Sequence, residues 1–253
     1  MRRRRASIVR DVTTTPDRPR SAVVFGARNF GRATIERLRE EGWAVTGIAR
    51  SEETRAGITA AGALALQADV TDPQSVFAAL EQAAKAHGGV ELVLNAAAAY
   101  GGDRSGPFGG GPLAEAAPDA FDAWAAAPAR AAFSFLSGSA RFLLAQGTPA
   151  TVIQATGGSS RRAAAGRGLW AAGAFGVRAL TQAAALELRE QGIHVALLVI
   201  DAQIQPFSDQ GAVKPEQAAP SDLAAAVLYL AEQGARAATH ELQVTPLAER
   251  WVP

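Results

Sequence analysis

The sequence predicts an α/β fold, a single doubly wound parallel sheet with helices on both faces. Three observations predict it. Short apolar runs alternate with longer stretches of helical periodicity along the chain, as in a sheet joined by crossover helices. The runs Val23–Phe25, Val90–Leu94 and Ile193–Ile200 are apolar but for Glu91 and His194, as strands covered on both faces are. The first two strands enclose a glycine turn and an amphipathic helix, which makes a βαβ unit. With 253 residues, 48% of them hydrophobic, one domain with a full core is expected.

Taken in order, Met1–Arg20 (MRRRRASIVRDVTTTPDRPR) is rich in Arg, Thr, Pro and Asp. It reads as a disordered basic tail, with the folded domain spanning residues 21–253. No apolar segment follows Arg2–Arg5, so a signal peptide is not expected. Val23–Phe25 is a strand that stops at Gly26. Gly31 opens a helix with Ala33, Ile35 and Leu38 on its apolar side, Gly42 closes it, and Trp43–Ala49 is the second strand. A short helix over Glu52–Ala61 and a strand over Ala63–Ala68 lead to Asp69-Val70. Thr71-Asp72-Pro73 caps the helix that carries Ser75–His87, with Pro at its first position. Val90–Leu94 is a buried strand ending at Asn95-Ala96-Ala97-Ala98.

Gly101–Pro118 is rich in Gly and Pro and is expected as a loop, of a length that suits a mobile flap over a site. Phe121–Gln146 reads as a long helix with Pro128 an irregularity in it. Thr151–Ala155 is a strand and Thr156–Ser160 a turn. Trp170–Gln191 is a second long, Ala-rich helix, and Ile193–Ile200 the next strand. Asp201–Pro220 is a polar loop, Ser221–Gln233 a helix and Glu241–Val244 the last strand.

Composition narrows the function. A net charge of +1 argues against nucleic-acid binding through bulk charge. With no Cys, disulfides, thiolate catalysis and thiolate metal sites are excluded. His87, His194 and His240 have no ligand spacing, so no metal is expected. No apolar run reaches membrane-spanning length, and a cytoplasmic protein is expected. The glycine turn points to a ligand. Backbone amides at a glycine turn and the positive end of the following helix form a seat for a dinucleotide pyrophosphate. Gly26, Arg28, Asn29, Phe30 and Gly31 are the candidates, in a turn that keeps the outer glycines of GxGxxG but has Arg28 at the middle one.

From Ser21 to about Val244 the chain resembles the short-chain dehydrogenase/reductase family. The turn Gly26–Gly31 is similar to its TGxxxGxG segment, one residue shorter and with Phe25 for Thr. Arg50 resembles the basic residue that marks NADP-preferring members. Asp69-Val70 resembles the pair that holds the adenine, and Asn95-Ala96-Ala97 the NNAG motif. Trp170–Gln182 resembles the active-site helix. The resemblance implies a single Rossmann-like domain, NADP as cofactor with Arg50, Asp69, Val70, Asn95 and Ala96 among its contacts, and a small-molecule substrate. It also implies a homodimer or homotetramer built through the two long helices.

The resemblance breaks at the chemistry. The family's Tyr falls on Trp170, its Lys on Ala174, its Ser on Gly157 and its Asn on Ala131, and Ile200-Asp201 replaces the Pro-Gly pair after the sixth strand. An indole N–H donates a hydrogen bond but gives up no proton at neutral pH. Carbonyl reduction leaves an alkoxide that needs a proton donor, so a substitute is required. The candidates are Ser159 with its neighbours Thr156 and Ser160, Tyr100 and Asp103 after the Asn95 strand, Trp170 itself, and Asp201. An aspartate ending a buried strand beside a cleft is the kind of carboxyl that can carry a catalytic proton. Arg28 either adds a second cation for the 2′-phosphate or, by its bulk, keeps the backbone from the pyrophosphate, and the residues leave both open. Two functions follow. One is an atypical oxidoreductase or a non-redox enzyme of isomerase or dehydratase type. The other is a pseudoenzyme that acts as a binding or partner subunit.

Overall fold

A computed structural model describes residues 18–98, 106–209 and 214–249. The central sheet is built from β1 (Ser21–Phe25), β2 (Ala44–Ile48), β3 (Leu64–Leu66), β4 (Leu92–Asn95), β5 (Ala150–Gly157), β6 (Ile193–Ile200) and β9 (Glu241–Val244). Their order is β3-β2-β1-β4-β5-β6-β9, all parallel. Two short strands, β7 (Gln203–Ile204) and β8 (Gln217–Ala218), pair with each other outside it. The helices are α1 (Phe30–Glu40), α2 (Glu52–Ala60), α3 (Pro73–His87), α4 (Ala127–Gln146), α5 (Gly168–Leu188) and α6 (Pro220–Ala231). The fold is the doubly wound parallel sheet that the alternating pattern predicts.

Alternation along β1 divides the core. Ala22 and Val24 point to one face, where Ile35 and Leu38 of α1, Ile58 of α2 and Leu223, Val227 and Leu230 of α6 cover them. Val23 and Phe25 point to the other, against Val76 and Leu80 of α3, Phe135 and Leu143 of α4 and Leu188 of α5. Both faces of β1 are therefore dry, which accounts for its apolar run Ala22–Phe25. Asp72 caps α3, its two carboxylate oxygens accepting from the N–H groups of Gln74 (3.0 Å) and Ser75 (3.1 Å), with Pro73 at the first position.

The structure alters four expectations. The Pro128 irregularity is a π turn over Asp122–Ala126 that runs directly into α4. Pro128 has no N–H for the Trp124 carbonyl and its ring presses on that carbonyl, and a widened turn relieves both. The Trp124 carbonyl instead lies against α5, where a Cβ on Gly173 would come within 2.6 Å of its oxygen. Thr156 and Gly157 are not turn residues but the end of β5, Gly157 pairing with Ile200. The polar loop after β6 holds β7 and β8. Of the expected flap, residues 106–118 are a docked segment with a 3-10 turn at Phe108–Gly110 packed on the start of α5.

Residues 18–20, assigned to the tail by composition, lie against the domain. Arg18 pairs with Glu91 at 2.8 Å, and the Arg20 guanidinium stacks 4.0 Å from the Trp43 ring. The rest of the expected tail lies outside the described residues. No described helix is long and apolar enough to cross a membrane.

Candidate functional site

The chain runs outward from β1 to β3 and then returns to β4 on the other side of β1. A crevice therefore opens beyond the carboxyl ends of β1 and β4, the usual ligand position in such sheets. The glycine turn fills the β1 side. Gly26 has φ +86°, and a Cβ there would stand 2.4 Å from the Ala97 backbone nitrogen. A Cβ on Gly31 would stand 2.4 Å from the Gly26 carbonyl oxygen and 3.2 Å from the Ala96 Cβ. Both glycines are thus required by close approach of backbone to backbone.

Asn95 shapes the β4 side. It is buried, donates from Nδ2 to Gln154 Oε1 (3.0 Å) and accepts from the Ala97 N–H at Oδ1 (3.1 Å). The Ala96 N–H donates to the Phe25 carbonyl at 2.8 Å. Ala96 therefore ties the end of β4 to β1, and Asn95 ties it to β5. Gln154, on the next strand, is a partner that the sequence reading missed.

The remaining turn residues divide by burial. Phe30, expected among the cofactor contacts, is buried in the core beneath α1 and is a packing residue. Asn29 precedes α1 without capping it, and its buried Oδ1 has no hydrogen-bond partner among the described residues. The Arg28 side chain is exposed. The first N–H groups of α1 have no partner within the helix, and no acidic side chain occupies its first turn. This cradle fits an anionic group, and the orphaned Asn29 oxygen fits a hydroxyl donor beside it.

Cations gather at the end of β2. Arg50 is exposed there, and the Arg55 guanidinium folds back to donate to the Arg50 carbonyl at 2.6 Å. Arg55 escaped the sequence reading because nothing local marks its return onto the strand. Asp69 lies opposite. Its carboxylate is held below the ordinary range mainly by the Thr71 N–H (2.9 Å), opposed by burial and helped by the Thr71 hydroxyl (2.8 Å) and the Arg50 charge. Val70 follows, half-buried. Arg28, Arg50, Asp69, Asn95 and Ala96 thus all lie at the carboxyl ends of β1 to β4.

The segment beyond β5 and β6 is organised by Asp201. It is 8% exposed, and Arg162 grips both its oxygens, at 2.5 Å and 3.1 Å. Gln243 of β9 donates to Oδ2 at 3.1 Å. Asp201 was a candidate proton carrier, yet its carboxylate is the anchor of an ion pair that ties β6 to the Arg161–Arg162 turn. Ser160 is buried, and its hydroxyl donates to the Gly157 carbonyl at 2.8 Å. Ser159 is half-buried beside it. Tyr100 and Asp103 lie outside the described residues.

Trp170 stands in the first turn of α5, half-buried, with Ala174 buried one turn further on. Its ring lies 6.0 Å from that of Trp124 at an angle of 84°, and Phe108 sits 4.9 Å from Trp124 and 5.5 Å from Trp170. Trp170 and Phe108 together cover the start of α5. A cleft of about 240 Å³ lined by Arg189, His194 and His240 lies at the opposite ends of β5 and β6, and no crevice residue reaches it. No group of three or more metal-ligating side chains occurs among the described residues.

Comparison with known proteins decides the family. The family model described as short chain dehydrogenase matches residues 20–202. The chain belongs to the short-chain dehydrogenase family. No curated protein matches the sequence. A short-chain dehydrogenase from Rhodopseudomonas palustris is 26% identical, with 89% of this chain and 98% of that one covered and a TM-score of 0.67. A metagenomic short-chain oxidoreductase solved in complex with NADP is also 26% identical, with 91% and 98% covered and a TM-score of 0.68. An alcohol dehydrogenase from the archaeon Thermococcus sibiricus, complexed with 5-hydroxy-NADP, shares the fold at 21% identity, 92% and 99% coverage and a TM-score of 0.70.

Proposed function

We propose that this short-chain dehydrogenase binds NADP(H) in the β1–β4 crevice and acts on a small molecule without the family's Tyr–Lys proton relay. The observation that carries the cofactor reading is the pair of basic groups, Arg28 and Arg50, exposed beside the turn that Gly26 and Gly31 hold, with Asp69 near Arg50. Arg50 would grip the 2′-phosphate, Asp69 would meet the adenine, and the α1 amides would face the pyrophosphate. NADP(H) supplies or accepts a hydride when bound. The chain would orient it through Asn95 and Ala96, which fix the crevice floor.

The second half of the proposal rests on the occupants of the relay positions. Trp170, Ala174, Gly157 and Ala131 carry no acid, no ammonium and no hydroxyl. Asp201, the candidate replacement, is paired with Arg162. Chemistry whose charge develops away from Trp170 and whose proton can come from water fits these residues, such as hydride addition to a conjugated C=C bond, isomerisation or dehydration. The packed rings over Trp170 favour a second reading, a pseudoenzyme that keeps the cofactor site and serves as a binding or partner subunit. Under either reading a homodimer or homotetramer would form through α4 and α5, which expose Phe133 and Leu144, and Phe175 and Leu186.

The test is a fluorescence titration with NADPH and NADH, following tryptophan quenching and nicotinamide emission. NADPH is expected to bind the more tightly. The Arg50→Ala variant should lose one charge-assisted contact, about 1.5–3 kcal/mol or roughly 10- to 100-fold for NADPH, and leave NADH unchanged. Absence of binding for both nucleotides, or equal affinity, would sink the cofactor reading.

A further inference from the structure

We propose that the Phe108 ring is a tethered occupant of a binding site for a planar aromatic anion, built from Trp124 and Trp170 with Arg167 at its rim. Two indoles 6.0 Å apart and nearly perpendicular make an aromatic corner, and Phe108 lies in it within contact distance of both. The Arg167 guanidinium stands 5.4 Å from the same ring. Phe108 nevertheless remains 51% exposed. It therefore sits on a surface site as a ligand does, and is not part of the core.

The backbone that delivers the ring is shaped for this contact. Gly109, Gly110 and Gly111 have φ of +80°, +90° and +76°, a run of left-handed residues that only glycine adopts without strain. A Cβ on Gly109 would come within 3.2 Å of the Trp170 Cβ, and one on Gly110 within 2.7 Å of Leu169 Cδ1. A Cβ added at Gly106, on the other side of Phe108, would meet no described residue within 4 Å, and Gly106 is exposed. The segment is close-fitting where it touches α5 and exposed at Gly106 and Pro107.

Withdrawal of residues 106–110 exposes two indole surfaces beside a cation. A flat aromatic group can stack where Phe108 does. An attached carboxylate or sulfonate would gain a full charge pair with Arg167, in place of the weaker attraction of a guanidinium to a ring. The inference extends the reading of a site without a Tyr–Lys relay by naming the class of molecule that the site takes. It predicts competition between the tethered ring and the free one.

The experiment uses the full chain and 2-naphthoate, titrated by calorimetry without nucleotide. Phe108→Ala is expected to bind 2-naphthoate at least tenfold more tightly than wild type. In that variant, further change of Arg167→Ala should abolish the preference for 2-naphthoate over neutral 2-naphthylmethanol. Equal affinity of wild type and Phe108→Ala, or binding that Trp170→Ala leaves unchanged, overturns the proposal. A second measurement needs no variant: saturating 2-naphthoate should speed amide hydrogen exchange in residues 106–111 of wild type, and unchanged exchange also overturns it. NADPH titration of the same samples reports on the cofactor reading separately, so failure of one leaves the other standing.

Discussion

Gly158→Ala would be a small change with a large predicted cost. A Cβ on Gly158 would fall 1.8 Å from Asp201 Oδ1 and 2.3 Å from its Cγ, so the aspartate must leave. Its departure breaks both contacts with Arg162 and the hydrogen bond from Gln243. Breaking a fully buried ion pair costs about 3–5 kcal/mol. The Arg162 side chain is 35% exposed and can be rehydrated, which lowers the figure to about 2 kcal/mol. For a domain of this size that corresponds to a fall in Tm of roughly 4–8 °C. The φ of Gly158 is not positive, so the substitution carries no backbone strain of its own. The assay is thermal unfolding followed by circular dichroism, in wild type and in an Asp201→Ala background. With the aspartate removed, the added methyl has nothing to strike and should cost nothing, or stabilise by about 0.5 kcal/mol. The two changes should therefore be non-additive by about 2 kcal/mol. An equal loss of Tm in both backgrounds would refute the steric reasoning.

Two further outcomes are expected. Burial, reinforced by the His240 charge and opposed by a hydrogen bond to the Thr239 carbonyl, lowers the pKa of His194, and burial with Arg39 and Arg18 lowers that of His87. The unfolded chain takes up these protons near pH 6.5 and the folded chain only at lower pH, so stability is complete above 6.5 and lost as the pH falls through the lowered values. Tm should fall between about pH 8 and about pH 5, with a slope for His194 below about 1.4 kcal/mol per pH unit, and His194→Gln should flatten it; a Tm that rises on acidification contradicts this. Phe175→Asp, on the exposed side of α5, should convert the proposed oligomer to monomers by light scattering, and an unchanged mass would place the interface elsewhere.

What the sequence revealed was local. The glycine turn, the Asp72-Pro73 cap and the end of β4 at Asn95 each declare themselves within a few residues, because capping and backbone approach are short-range requirements. The partners of those residues were not legible. Gln154 meets Asn95 across 59 positions and Arg162 meets Asp201 across 39, and periodicity gives the face of an element without naming what lies opposite. The burial of Phe30 was not legible for a related reason. A hydrophobic residue inside a ligand-binding turn looks like part of the turn, whereas it opens α1 and faces inward. The flap at Gly101–Pro118 was read from its Gly and Pro content and its length. Composition marks irregular backbone, but the fit of Gly109–Gly111 against α5 is a property of surfaces.

The π turn before Pro128 changes how distance along this chain translates into direction. It adds one residue to a turn, and one residue is about 100° of rotation about a helix axis. Trp124 and Ala131, seven positions apart, would lie nearly in line on an unbroken α-helix, and the widened turn that contains Trp124 alters that register. Spacing counted across it carries over only to a relative with the same widened turn. The angular phase of α4 has to be counted from Ala127 onward, after the widened turn has closed.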